Sequence, residues 1–484
     1  MKKKLYSLFL LPAVSMSMAG EEPNEAVFRK IDREVSQHSR IYESLRDVVN
    51  TVGHRLTGTD HGSHAEEYTF NLFKEYGFRD VKYQPFELEA WSRDTVILSI
   101  APGNSDNYRE VPAVSLAHSP VSAQVKGEII DVGNGLAEDF EAKGDRIRGK
   151  VVLANLHLSN APGKQNIHRS QKTALAIRYE AAGIIFINGA PGNVLLTGTA
   201  SVTGGLIAIP ALCISNTSGK ELRAWAEAES PMIAEIEMTN FSRKATARNV
   251  IATLKGKSPE KIVIGGHLDS WDLATGAIDN GIGSFAVLDI ARTFRKLRIK
   301  PEKTIEFVLF MGEEQGLLGS RHYVRELKRR NELAQTGYMI NLDMTNNPDG
   351  IISYGRPETE AFFRNVGEAV ARLDTTYKNK INNAAGLHSD HQPFMVNGIP
   401  VLAFSGSLPP KALSCYHADC DHFDLVNKAE IEKTVRVTSM YLYALASGKN
   451  LPARRLLPDE TRDLMISQGL KDALILGNDW AWDQ

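Results

Sequence analysis

Apolar and polar positions follow two textures along this chain. From Asn249 to Gly448, apolar runs of strand length alternate with longer stretches of helical period. Ile262-Val263-Ile264, Thr304–Met311, Gly337–Met344 and Ile399–Phe404 read as buried strands. Gly283–Leu297, Gln315–Arg330, Glu358–Leu373 and Lys428–Ala446 read as helices; in the first, Val287, Leu288, Ala291 and Phe294 share one face. Strands separated by helices predict an α/β fold, a mostly parallel sheet covered by helices on both faces. In such sheets ligands sit at the carboxyl ends of the strands.

Upstream, Glu21–Asn50 predicts one helix and His64–Tyr76 another, with Tyr68, Leu72 and Tyr76 on one face and Gly77 as the stop. Between them Gly53-His54-Arg55-Leu56-Thr57-Gly58-Thr59 is a polar turn, and strand-like runs continue through Ile100. From about Asn104 to Ala245 short β-rich runs are divided by glycine: Gly127–Asp131, Lys150–Ala154, Gly183–Ile187 and Ile209–Leu212, with one helix at Lys172–Ala182. No candidate metal cluster falls here. The expected organisation is a discontinuous catalytic domain, 20–105 and 246–450, an inserted β-rich domain, 106–245, and a C-terminal extension, 451–484, that the pattern does not place.

Residues 1–19 differ from both textures. Lys2, Lys3 and Lys4 precede an apolar run, Leu5–Val14, that is too short to span a bilayer, and Ser17-Met18-Ala19 supplies small residues. That order predicts a secretory signal peptide and an exported protein, periplasmic or extracellular, with no membrane anchor.

Composition narrows the function classes. Hydrophobic residues at 43% and charged residues at 24% exclude a disordered chain and a multi-span membrane protein. Lys+Arg at 56 against Asp+Glu at 58 gives a net charge of −2, without the basic excess of a nucleic-acid binder. Three cysteines allow at most one bridge.

The candidate chemistry collects where the predicted strands end. Gly265-Gly266-His267-Leu268-Asp269 follows the first strand. His267 is a metal ligand or a lone histidine, and Asp269 can hold its other ring nitrogen. Asp279, in Gly276–Gly283, is a ligand or a helix cap. Gly312-Glu313-Glu314 ends the most apolar strand, where adjacent carboxylates are costly unless paired or cation-bound. Asn341-Leu342-Asp343, Ser389-Asp390-His391 and Tyr416-His417 complete the set. Two histidines and three carboxylates suit two zinc ions if one carboxylate bridges, and a spare glutamate beside them suits metal-assisted hydrolysis.

These motifs, in this order, resemble the co-catalytic zinc exopeptidases of peptidase family M28. Gly266-His267-Leu268-Asp269-Ser270-Trp271-Asp272, followed by Gly276-Ala277-Ile278-Asp279, is similar to its carboxypeptidase Q branch, and the insertion resembles a protease-associated domain. The resemblance implies two Zn2+ per chain, with His267 and Asp343 on one, Glu314 and His417 on the other, and Asp279 bridging. It implies Glu313 as general base, Asp269 as the catalytic partner of His267, and Asp390 and Asp421 as supporting acids. His422 is the rival to His417. Cys415 and Cys420, flanking that ligand, are either a small disulfide or two thiols, and Cys213 reads as a buried small hydrophobe. The branch implies a short peptide substrate with a free N-terminus, and a homodimer built through the insertion or the tail. Two other readings use the same fold: a non-enzymatic receptor or binding protein, and a glutaminyl-cyclase-like acyltransferase that binds one metal.

Overall fold

A computed structural model describes residues 24–103, 105–228 and 231–482 of the chain, so the expected leader at 1–19 lies outside the described residues. The expected α/β architecture is present. Strands Val401–Ser405, Thr336–Asn341, Ser258–His267 and Lys303–Phe310 lie side by side in that order and run parallel. Each is apolar and buried over most of its length, as a strand covered on both faces must be, and Ser258–His267 is buried from Lys261 onward. The helix Ile282–Lys296 is buried continuously from Ile282 to Phe294, because the N-terminal helices and the helix Lys428–Ser447 pack over it. A helix sandwiched between a sheet and an outer layer has little wet face, and its buried polar residues are paired, Arg292 with Asp289 and with Glu34.

The insertion is joined through strands and not through a linker. Val81–Pro102 and Met232–Leu254 pair antiparallel over their whole length, from Val81 opposite Ala252 to Pro102 opposite Met232. One end of Met232–Leu254 pairs with Lys303–Phe310 of the catalytic sheet, and the other end with Ser122–Asp131 of the insertion. The two sheets are therefore continuous through this ribbon, and position 246 falls inside a strand. Beyond it, Val151–Asn155, Gly183–Ile187 and Ala211–Ile214 extend the insertion's own parallel sheet around a separate core.

Two elements differ from expectation. The single helix predicted over Glu21–Asn50 is two, Glu25–His38 and Ile41–Thr51. Asp289 of the buried helix causes the break, since it accepts from Ser39 Oγ at 2.7 Å and from the backbone N–H of Arg40 at 3.2 Å. The unplaced tail forms helices Pro458–Ser467 and Lys471–Leu476, with Met465 and Leu474 buried against the catalytic core. Among the described residues, no helix is long and apolar enough to cross a membrane.

Candidate metal centre

The carboxyl ends of the parallel strands carry the site. His267 closes Ser258–His267, Glu313 and Glu314 follow Lys303–Phe310, and Asp343 follows Thr336–Asn341. Asp279 lies at the entry to the Ile282–Lys296 helix, and His417 in the loops after Val401–Ser405. The fold brings all five expected ligands together as two trios, His267–Asp279–Asp343 and Asp279–Glu314–His417, whose ligand atoms lie within 4.8 Å of one another.

Asp279 belongs to both trios, one oxygen to each. Its Oδ1 is 3.3 Å from His267 Nε2, and its Oδ2 is 3.0 Å from His417 Nε2. Asp343 Oδ1 lies 3.4 Å from His267 Nε2, and Glu314 Oε2 lies 2.9 Å from His417 Nε2. Glu313 stands outside both trios, its Oε2 4.0 Å from His267 Nε2. His422, the alternative to His417, is exposed and in neither trio.

Burial sets the electrostatics. It opposes a charge on His267, but Glu313, Asp343, Asp269 and Asp279 outweigh it and hold the imidazolium well above its usual pKa. His417 is raised in the same way, against burial, mainly by Glu314. Burial lifts Glu313 well above the ordinary carboxylate range and raises Glu314 too. Asp279 is also buried, yet the two histidines draw it below the usual range. The two imidazoles thus sit among clustered carboxylates, and the buried Glu314 Oε1 has no hydrogen-bond partner. A divalent cation in each trio would offset that clustered negative charge and satisfy Glu314, so the donor set fits two ions sharing one carboxylate.

Of the expected acids around the ligands, Asp269 and Asp421 act on backbone, whereas both carboxylate oxygens of Asp390 have no hydrogen-bond partner. Asp269 faces His267 Nδ1 with its carbonyl at 3.1 Å and its Oδ1 at 3.7 Å. Its two carboxylate oxygens accept from the N–H groups of Glu313 and Glu314, both at 3.3 Å. Asp421 accepts from Ile278 and Asp279 N–H at 2.8 and 2.9 Å, which fixes the residue shared by the two trios, and burial lifts its pKa to about 7. Asp390 is fully buried near His267, and burial lifts it to about 7 as well. A disulfide, Cys415–Cys420, closes the loop that carries His417, while Cys213 is free and buried in the insertion.

Several functional contacts escaped the sequence reading. The turn Gly53–Thr59 grips both ligand-bearing loops. The fully buried Arg55 guanidinium donates to the carbonyls of Leu268, Thr275 and Gly276 at 2.6, 2.6 and 2.8 Å, spanning the stretch between His267 and Asp279. Thr57 Oγ1 accepts from Gly312 N–H at 2.8 Å, and its carbonyl accepts from Gln315 at 3.1 Å, on either side of Glu313 and Glu314. Ser389 donates to Asp343 Oδ2 at 2.6 Å and is itself held by Asn341. The insertion contributes Arg169, whose Nη2 is 3.0 Å from His417 Nδ1, and Thr197, whose carbonyl is 3.3 Å from the same atom. Arg169 is 7% exposed, its Nε has no partner, and no carboxylate lies within ion-pair distance among the described residues. These contacts join residues up to 258 positions apart, and Gly-flanked polarity in 53–59 was the only local signal.

Comparison with known proteins decides the class. Residues 249–442 match peptidase family M28, and residues 121–222 match the PA domain. The chain carries a peptidase family M28 domain and, ahead of that match, a PA domain. Carboxypeptidase Q from Bos taurus is 24% identical over 468 residues, covering 92% of this chain and 97% of its own. Leucine aminopeptidase 2 from Trichophyton rubrum is 27% identical over 367 residues, covering 72% and 68%. The fold is that of a peptidase M28 precursor from Shewanella amazonensis SB2B, with a TM-score of 0.77 at 24% identity over 90% of this chain and 99% of that one. All five trio residues and Glu313 fall inside the M28 match, whereas Arg55 lies before it and Arg169 inside the PA match.

Proposed function

We propose that this protein is an exported di-zinc M28 exopeptidase that hydrolyses dipeptides and short peptides with a free N-terminus. The observation that carries the proposal is the pair of trios sharing Asp279 with Glu313 outside both. Nitrogen and carboxylate donors without thiolate suit a catalytic zinc site. Bound there, zinc supplies Lewis acidity, lowering the pKa of water and polarising a carbonyl.

The chain's own residues supply the rest. Glu313 lies on the wall of two cavities that meet at the centre. From there its carboxylate takes the proton of the attacking water and returns it to the leaving amine. The larger cavity, about 320 Å³, is lined in part by Tyr354, Leu387 and Phe404, and receives an apolar side chain. The smaller, about 100 Å³, contains Arg169. A buried cation without a carboxylate partner is costly, and a peptide's terminal carboxylate is the anion that relieves it. Asp269, Asp421, Arg55 and Thr57 hold the ligand loops in place and touch no substrate.

The test is a panel of dipeptides and longer peptides with free and acetylated N-termini, run alongside zinc counting. Hydrolysis of free dipeptides by protein holding two zincs is the expected result. Release of C-terminal residues from acetylated peptides overturns the free-N-terminus assignment. One zinc per chain, or none after zinc-replete purification, overturns the di-zinc reading.

A further inference from the structure

The C-terminal segment has no place in the function so far, and it lies outside the M28 match. It nevertheless reaches the centre. The helix Lys471–Leu476 spans the gap between the two domains. Leu474 is buried in the catalytic core, while Leu476 packs on the core of the insertion. Gln171 of the insertion donates to the carbonyl of Ala473 at 2.7 Å. Past the helix, Asp479 is held by both guanidinium nitrogens of Arg321 and, at 2.7 Å, by Gln392. Arg321 sits on the helix that follows Glu313 and Glu314, and Gln392 lies two residues after Asp390. Trp480 and Trp482 then pack on the catalytic core. The segment is thus pinned at both ends and on both domains.

Its position matters for substrate. Gly477 and Asp479 line the same cavity as Arg169, Glu313, Glu314 and His417. That cavity measures about 100 Å³, against about 320 Å³ on the other side of the centre. A cavity of ~150 Å³ admits one benzene, so the space beside Arg169 takes about one small residue. We infer that the segment 471–482 is the end wall of the leaving-group side and limits substrates to one residue beyond the scissile bond. This rests on the proposed peptidase reading and names its substrate class: peptides whose C-terminal carboxylate lies one residue past the cleaved bond. Asp479 is here a specificity residue, acting through the wall and not on the reacting atoms.

The test uses the full zinc-loaded protein and two variants: Asp479→Ala, and a chain ending after Gly477. The substrates are Leu-Ala, Leu-Ala-Ala and Leu-Ala-Ala-Ala, which lengthen only the leaving side. Wild type is expected to lose kcat/KM steeply with each added alanine. Each variant is expected to raise the tetrapeptide-to-dipeptide ratio of kcat/KM at least tenfold. A tail that merely stabilises the fold lowers all three substrates in parallel, and that outcome overturns the inference. So does a wild type that cleaves all three equally well. If the shortened chain fails to fold, as read by its melting curve, Asp479→Ala alone decides. If wild type with two zincs cleaves none of the three, the peptidase reading fails first and is recognised separately.

Discussion

Two adjacent glutamates in different surroundings make the sharpest test of the centre. Glu314 lies in a trio, 2.9 Å from His417 Nε2, whereas Glu313 is in neither. Glu313→Gln keeps the size of the side chain and removes only the ability to take a proton. General bases contribute ~10²–10⁴ in rate, which at ~1.36 kcal/mol per decade is about 2.7–5.4 kcal/mol of transition-state stabilisation. The variant is expected to lose that much kcat, with KM within a few-fold, and to retain both zincs. It is not expected to unfold. Burial already holds the Glu313 carboxyl well above its usual pKa, so a neutral amide is tolerated at least as well as the ionised group. Glu314→Gln should behave oppositely, losing zinc from the trio with His417 and Asp279, because an amide is a poorer ligand than a carboxylate.

The assay is zinc content per chain measured on the same samples as kcat and KM for a dipeptide, with a melting curve as the control for folding. Retention of more than ~10% of kcat by Glu313→Gln would falsify the base assignment, since it leaves less than one decade for proton transfer. Loss of zinc from Glu313→Gln with retention in Glu314→Gln would exchange the two roles.

Two further predictions concern the frame around the centre. Arg55→Met leaves the carbonyls of Leu268 and Thr275 without a partner, while that of Gly276 keeps the N–H of Gly281, and at ~1–3 kcal/mol for each unsatisfied group it should destabilise the protein by about 2 kcal/mol or more. Hydrogen exchange should show the loss concentrated at 268–281, and unchanged protection there would remove Arg55 as the clamp. Asp272 is partly buried, which favours its neutral form, but the Arg93 guanidinium, 2.7 Å from each of its oxygens, pulls its pKa below the usual range. A depressed folded-state pKa gives stability that is present above pH ~4 and disappears as pH falls through the folded value. Asp272→Asn should therefore cost about 2 kcal/mol near neutrality, and its melting gap to wild type should close in acid. A gap of constant size across that range refutes the pairing.

What the sequence made legible follows from where the information lies. The five trio residues were readable as candidates because each is chemically distinctive and three of them stand where an apolar strand stops, and both signals are local. His267, Glu314 and Asp343 each follow buried strands, and a parallel sheet brings its strand ends to one edge without further instruction. The long ribbon was not readable, since its register pairs residues such as Val81 with Ala252, far apart in the chain, and each strand looks complete alone. Ser39 is a residue type that caps helices, and its Oγ accepts from Ile41 N–H at 3.4 Å, but the Asp289 carboxylate that holds both Ser39 and Arg40 is remote in sequence. Arg55 and Arg169 were missed for the same reason. An arginine in a polar turn and one at a helix start are ordinary surface residues until the fold buries them. A ligand must itself be a donor to the metal, so its residue type reveals it. A positioning residue need only present N–H groups to carbonyls, which many side chains can do, so its identity becomes visible through its partners. Arg169 shows how far that dependence extends, because its neighbours His417 and Glu314 belong to the catalytic domain while its own helix belongs to the insertion. The site is therefore incomplete in either domain alone, and the continuous ribbon that joins them is part of what positions it.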